Sequence, residues 1–173
     1  MLFKLIGSII VLASTSFLGY VLSRDCSKRP QQLRELQGLL QIFENEVSFL
    51  SNLLVDAFKK IYSLSKSDAA IFFKRTVQLL EMNNGFSSVE AWEAAVKECI
   101  KGTALNKEDE AILASFGKML GNSDLEGQIK NIRLTLNQLK LQEQKAEATK
   151  TKNEAMYKRL GVLAGIAIVI VLI

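Results

Sequence analysis

Leu33, Leu36, Leu40, Phe43, Val47 and Leu50 recur at alternating three- and four-residue spacing. That spacing predicts one apolar stripe along a helix of about six turns, opening near Pro30, a residue that suits a first helical turn. Leu39, Ile42 and Phe49 form a second apolar row beside it. A helix with two such rows packs against more than one neighbour and belongs at the centre of a bundle. Glu46 falls within the second row, where an acid is either at a solvated edge or in a buried polar contact.

Five shorter patterns follow. Leu54, Phe58 and Ile61 share one face of a helix over 53–64. Ser67 caps a third helix through Ala70, Phe73, Val77 and Leu80, and Asn83-Asn84-Gly85 turns the chain. Ser87-x-x-Glu90 is a capping box opening a fourth, which carries Trp92, Val96 and Ile100 and ends at Gly102. At helical spacing Trp92 reads as a core anchor. Asn106 caps a fifth helix with Ile112, Leu113, Phe116 and Leu120 inward. After Gly121-Asn122, Ser123-x-x-Glu126 opens a last helix, along which Leu125, Ile129, Ile132, Leu136 and Leu139 make a heptad-like stripe. The fold expected is all-α: a compact bundle of about six helices with an N-terminal transmembrane helix. Its long last helix runs into a short C-terminal membrane segment.

The ends carry the membrane expectation. Leu5 to Leu22 is 18 residues without a charge, about the length that crosses a bilayer. A cleaved signal peptide is the rival reading, but the run is long for one and no small-x-small site closes it before Arg24. Leu160 to Ile173 is a 14-residue apolar run, short for a full span, in which Gly161 and Gly165 could admit a neighbouring helix. The domains expected are therefore an anchor at 1–23, a helical domain at 24–159 and a membrane segment at 160–173. Basic residues flank both runs on the inner side, so the positive-inside rule places the central domain in the cytoplasm. Without the ends, the apolar share falls from 49% to about 42%, an ordinary soluble value.

Composition narrows the chemistry. The 173 residues include no histidine, which removes His-dependent triads and His-containing zinc sites. Cys26 and Cys99 form no C-x-x-C pair. No P-loop or dinucleotide-binding motif occurs, and a net charge of +4 without interleaved aromatics argues against nucleic acid. No cofactor, metal or small-molecule substrate is expected, and no enzyme activity. Residues 128–159 carry net +5 and 81–126 net −5. Helix dipoles and anionic lipid account for such a split, as does an acidic face offered to a basic partner. Glu108, Asp109 and Glu110 are the acids named for such a contact, although a helix N-terminus favours acids in any case.

The ordered residues resemble a family. Arg29-Pro30-x-x-Leu33-Arg34-x-Leu36 leads into the Leu-rich helix with Glu44 and Glu46. Ser87-Ser88-x-Glu90-Ala91-Trp92 follows, then Phe116-Gly117-x-x-Leu120-Gly121-x-Ser123-Asp124 with Gln128. The end is Met156-Tyr157-Lys158-x-Leu160-Gly161-Val162-Leu163-x-Gly165. Over essentially the whole chain this resembles the stage III sporulation protein AB family of spore-forming Firmicutes. It departs at Ser51-Asn52-Leu53, which lacks the family's proline turn. The resemblance implies a non-enzymatic platform in the outer forespore membrane, within a complex joining mother cell and forespore. That part is similar to the inner-membrane platform of type II secretion and type IV pilus systems. Its implied partners are a separate ATPase, other membrane components of the complex and the lipid bilayer. Gly117 and Gly121 then suit close packing or a helix end, and Asp124 the first turn of the last helix.

Overall fold

The computed structural model describes Gly7, Ser14 and Phe17, each helical, and then residues 27–50, 54–65, 67–82, 85–121 and 124–172. Among these, six helices can be followed from end to end: α1 (Lys28–Leu50), α2 (Leu54–Leu64), α3 (Ile71–Glu81), α4 (Ser88–Cys99), α5 (Lys107–Gly117) and α6 (Leu125–Leu172). Short 3-10 turns, Asp68–Ala70 and Ile100–Gly102, lead into α3 and out of α4. No strand occurs among the described residues. The chain divides into two compact units, Arg29–Gln144 and Met1–Lys28 together with Lys145–Ile173.

The larger unit is built around α1. Leu33, Leu36 and Leu40 are fully buried, and Phe43 nearly so, as the first stripe requires. Five helices each place one aromatic ring at the centre: Phe43 from α1, Phe58 from α2, Phe73 from α3, Trp92 from α4 and Phe116 from α5. Phe58 lies 5.1 Å from Phe43, 5.0 Å from Phe73 and 5.6 Å from Trp92, and Trp92 lies 5.1 Å from Phe116, between ring centroids. Edge-to-face and tilted arrangements prevail, which add to the area these rings bury. α6 closes the bundle with Ile132 and Leu139, both essentially inaccessible.

Polar pairs set the register of α6 on α1. Arg34 donates through Nε to Glu143, and Gln37 Nε2 donates to the same carboxylate at 2.8 Å. Ten residues further along α1, Glu44 accepts from Arg133 Nε at 2.6 Å, ten residues back along α6. The two helices therefore run antiparallel. Burial pushes the Glu143 carboxyl up, but the hydrogen bonds from Gln37 and Arg34 together with the charges of Arg34 and Lys140 outweigh it and hold the group below its ordinary value. Glu46 takes the second of its two readings: it is buried, and its Oε1 lies 2.7 Å from Lys60 Nζ of α2.

The helix ends follow local chemistry. Ser87 Oγ accepts from the Glu90 amide at 3.3 Å and Glu90 Oε2 accepts from the Ser87 amide at 2.8 Å, completing the expected box. The backbone and side-chain hydrogen bonds from Ser87 hold the Glu90 carboxyl below its ordinary value. This contribution is present above the ordinary glutamate range and is lost as pH falls through the lowered folded value. Glu90→Gln is accordingly expected to flatten the acid limb of the stability–pH curve, read by urea unfolding between about pH 5 and about pH 3. An unchanged slope would show that the pair adds no proton linkage. At α6 the cap is Asp124 and not an acid inside the first turn: its Oδ1 accepts from the Gly127 amide at 2.9 Å. Ser123 and the Ser51-Asn52-Leu53 turn lie outside the described residues.

The membrane expectation finds no full span among the described residues. No helix among the described residues is long and apolar enough to cross a membrane. The apolar end of α6 begins only at Leu160, after Lys158 and Arg159, and its 13 helical residues cover about 20 Å of a core about 30 Å thick. Leu160, Val162, Leu163, Ile166 and Ile168 are all exposed along it. The run Leu5 to Leu22 lies outside the described residues apart from Gly7, Ser14 and Phe17.

Candidate functional site

Three elements meet around one buried ion pair. Asn106 caps α5, its Oδ1 accepting from the amides of Glu108 at 2.9 Å and Asp109 at 3.0 Å. Asp109 returns the bond, its Oδ2 accepting from the Asn106 amide at 2.9 Å. Arg29, in the first turn of α1, forks onto the same carboxylate, with Nε 2.8 Å from Oδ2 and Nη2 2.9 Å from Oδ1. Nη2 also donates to Gln142 Oε1 of α6 at 3.1 Å, and Gln142 Nε2 donates to Glu108 Oε2 at 2.9 Å. One segment before α5, the Ala104 amide donates to Gln32 Oε1 of α1 at 2.8 Å. The Asp109 side chain is 0% exposed and that of Arg29 21%. A fork of this geometry is the strong form of an ion pair, and burial makes it costly to break from either side.

The three acids named as a contact surface thus part company. Asp109 is not an exposed contact but the buried partner of Arg29, because the N3 position of a capped helix turns its carboxylate back towards the chain. Glu108 is exposed and engaged with Gln142, and Glu110 is half-buried.

The other singled-out residues build the frame. Leu33 and Leu36 are core, and Pro30 is buried beside them. Trp92 donates through Nε1 to the Leu113 carbonyl at 2.7 Å. That approach is open because Gly117, one turn along α5, has no side chain: a Cβ there would lie 2.2 Å from Trp92 Cδ1. Phe116 and Leu120 are buried, and Gly121 turns the chain out of α5 at φ +79°. Gln128 lines a narrow crevice with Phe43, Phe116 and Ile132. Gly161 and Gly165 lie within α6.

For chemistry, the site offers positioning. Among the described residues no group of three or more metal-capable side chains converges. Burial pushes the Cys99 thiol up, with Glu98 adding to it and Arg75 opposing, which disfavours the reactive thiolate. Cys26 lies outside the described residues. The hub itself went unread in the sequence, although Asn106-x-x-Asp109 is a capping box with Asp for Glu and could have been found as one. Arg29 and Gln142 carry no such local signal.

Comparison with known proteins now adds to this geometry. A family model described as stage III sporulation protein AB matches residues 4–173. The stage III sporulation protein AB of Bacillus subtilis (strain 168) is 31% identical over 169 residues, 98% of each chain. A solved structure of stage III sporulation protein AB (SpoIIIAB) superposes with a TM-score of 0.67 at 29% identity, covering 72% of this chain and 98% of the solved one.

Proposed function

The chain belongs to the stage III sporulation protein AB family, and on that premise we propose that it is a non-enzymatic, membrane-anchored platform of the sporulation complex between mother cell and forespore. It couples a separate secretion-type ATPase to the membrane channel, with the helical domain in the mother-cell cytoplasm and the anchor in the outer forespore membrane. The observation that carries this reading is the Arg29 hub. A part that passes on displacement must not shear internally. Here the first turn of α1 and the N-terminus of α5 share one buried carboxylate through Arg29, and Arg29 in turn bonds Gln142 of α6. The same hub fixes the direction of the acidic first turn of α5, where Glu108 and Glu110 offer the motor a stiff contact. The rival reading is a generic membrane-tethered helical scaffold without a motor partner, whose extended coiled-coil form fits poorly with five helices sharing one aromatic centre.

Co-purification from detergent-solubilised sporulating cells tests the proposal. The wild-type chain is expected to recover a P-loop ATPase, and Glu108→Gln/Glu110→Gln, in which residue 108 can still accept from Gln142, to lose several-fold of that yield while the thermal unfolding midpoint stays close to wild type. Recovery of neither an ATPase nor another membrane component would overturn the platform reading.

A further inference from the structure

The exposed face of α6 within the larger unit carries two large apolar side chains in one line. Ile132 and Leu139 face the core. Leu134 and Leu141 each sit two residues further on, about 200° around the helix, and are 54% and 59% exposed. Their heptad spacing places the two leucines about 10 Å apart in one line. At about 100° per residue, Lys130, Arg133 and Lys140 all fall on one flank of that line, and all three are exposed. Between Gly127 and Gln144 the single acid is Glu143, half-buried against Arg34 and Gln37. The face therefore presents a narrow leucine seam flanked on one side by Lys130 and Lys140, with Arg133 there paired to Glu44 and the one exposed acid of that flank, Glu126, a turn before Lys130.

We infer that this seam docks an acidic, leucine-bearing helix of a protein partner. Charge complementarity selects the occupant. A second copy of the same face would set Lys130 and Lys140 against their own kind, and like charges at that range disfavour pairing. A membrane surface needs a broad apolar face on an interfacial helix. Here the opposite side of α6 is already committed to the core, leaving two leucines in a line, which is the geometry of a coiled-coil seam. The inference is independent of the motor contact on α5, since it uses a different helix and the opposite charge.

The test uses the full chain in phosphatidylcholine nanodiscs and two fluorescent synthetic heptad peptides with leucine at both seam positions. One peptide carries glutamate on its flanks and the other lysine. Fluorescence anisotropy is expected to show saturable binding of the acidic peptide only, weakened at least about tenfold by Leu134→Ser/Leu141→Ser and by Lys130→Glu/Lys140→Glu. Raising salt is expected to weaken it further. Both pairs are exposed, so circular dichroism is expected to leave the fold of each variant unchanged. Equal binding of both peptides, no binding, or binding indifferent to the leucine pair would overturn the inference. So would dimerisation of the unliganded chain that Leu134→Ser/Leu141→Ser abolishes. A dye at Asn137→Cys, in a chain with Cys26 and Cys99 replaced by serine, reads the remaining outcome. A blue shift on adding acidic peptide supports docking. A blue shift on changing to phosphatidylglycerol discs without peptide assigns the seam to lipid and overturns it.

Discussion

Arg29→Met is expected to destabilise the bundle by about 3–5 kcal/mol, and by more than Asp109→Asn. The two substitutions break the same pair but leave different orphans. Without Arg29, the Asp109 carboxylate stays at 0% exposure with the Asn106 amide, 2.9 Å away, as its remaining donor. A buried charge without its counter-ion carries the full desolvation penalty. Without the Asp109 charge, Arg29 is left with a side chain 21% exposed, a bond to Gln142 and a path to water. An asparagine can still accept from the Asn106 amide, which retains part of the cap. Urea unfolding followed by Trp92 fluorescence measures both variants, since Trp92 is the only tryptophan and is fully buried. Equal losses in the two would mean that the pair is more hydrated than its geometry implies.

Gly117→Ala is the second large effect, with an expected loss of about 2–3 kcal/mol. The new methyl would lie 2.2 Å from Trp92 Cδ1, well inside contact distance. Trp92 cannot retreat. Its indole N–H is held by the Leu113 carbonyl at 2.7 Å, and the rings of Phe58, Phe73 and Phe116 stand 5.6, 5.3 and 5.1 Å away. Overpacking of this kind must move backbone or break the hydrogen bond. Gly38→Ala is the internal control. Gly38 lies in the middle of α1 and a Cβ there meets nothing within 4 Å. The gain in helix propensity is then unopposed, and the protein is expected to become about 0.5–1 kcal/mol more stable. The same substitution thus changes sign between two helices. Thermal unfolding by circular dichroism reads both, and a neutral Gly117→Ala would show that α5 shifts freely against α4.

The helices were legible because their signals are local. The stripe from Leu33 to Val47, the Ser87–Glu90 box and the Asn106 cap each lie within one element, where a period of 3.6 or a three-residue reach settles the outcome. Trp92 could be read as core for the same reason. The aromatic centre could not, because no spacing rule says that Phe58, Phe73 and Phe116 meet the same indole from three other helices, or that Phe43 packs on two of those rings.

By itself, the sequence determined the class, the helix boundaries to within a turn, the α1 stripe from Leu33 to Val47 and the family. These rest on periodicity, capping and an ordered set of residues along one chain. Of the α6 stripe, Ile132 and Leu139 are buried and Leu125 is exposed. Only the tertiary structure decided what Arg29 and Asp109 do. Eighty residues separate them, and each alone resembled an ordinary surface charge beside a membrane run or at a helix N-terminus. Packing also decided that Gly117 is a contact and Gly121 a turn, and that Glu46 is buried against Lys60. It left Leu134 and Leu141 outside the core. The physical reason is common to all of these. A local pattern states which face a residue occupies, whereas the worth of a charge, a missing methyl or an apolar side chain depends on what the rest of the fold brings to that face.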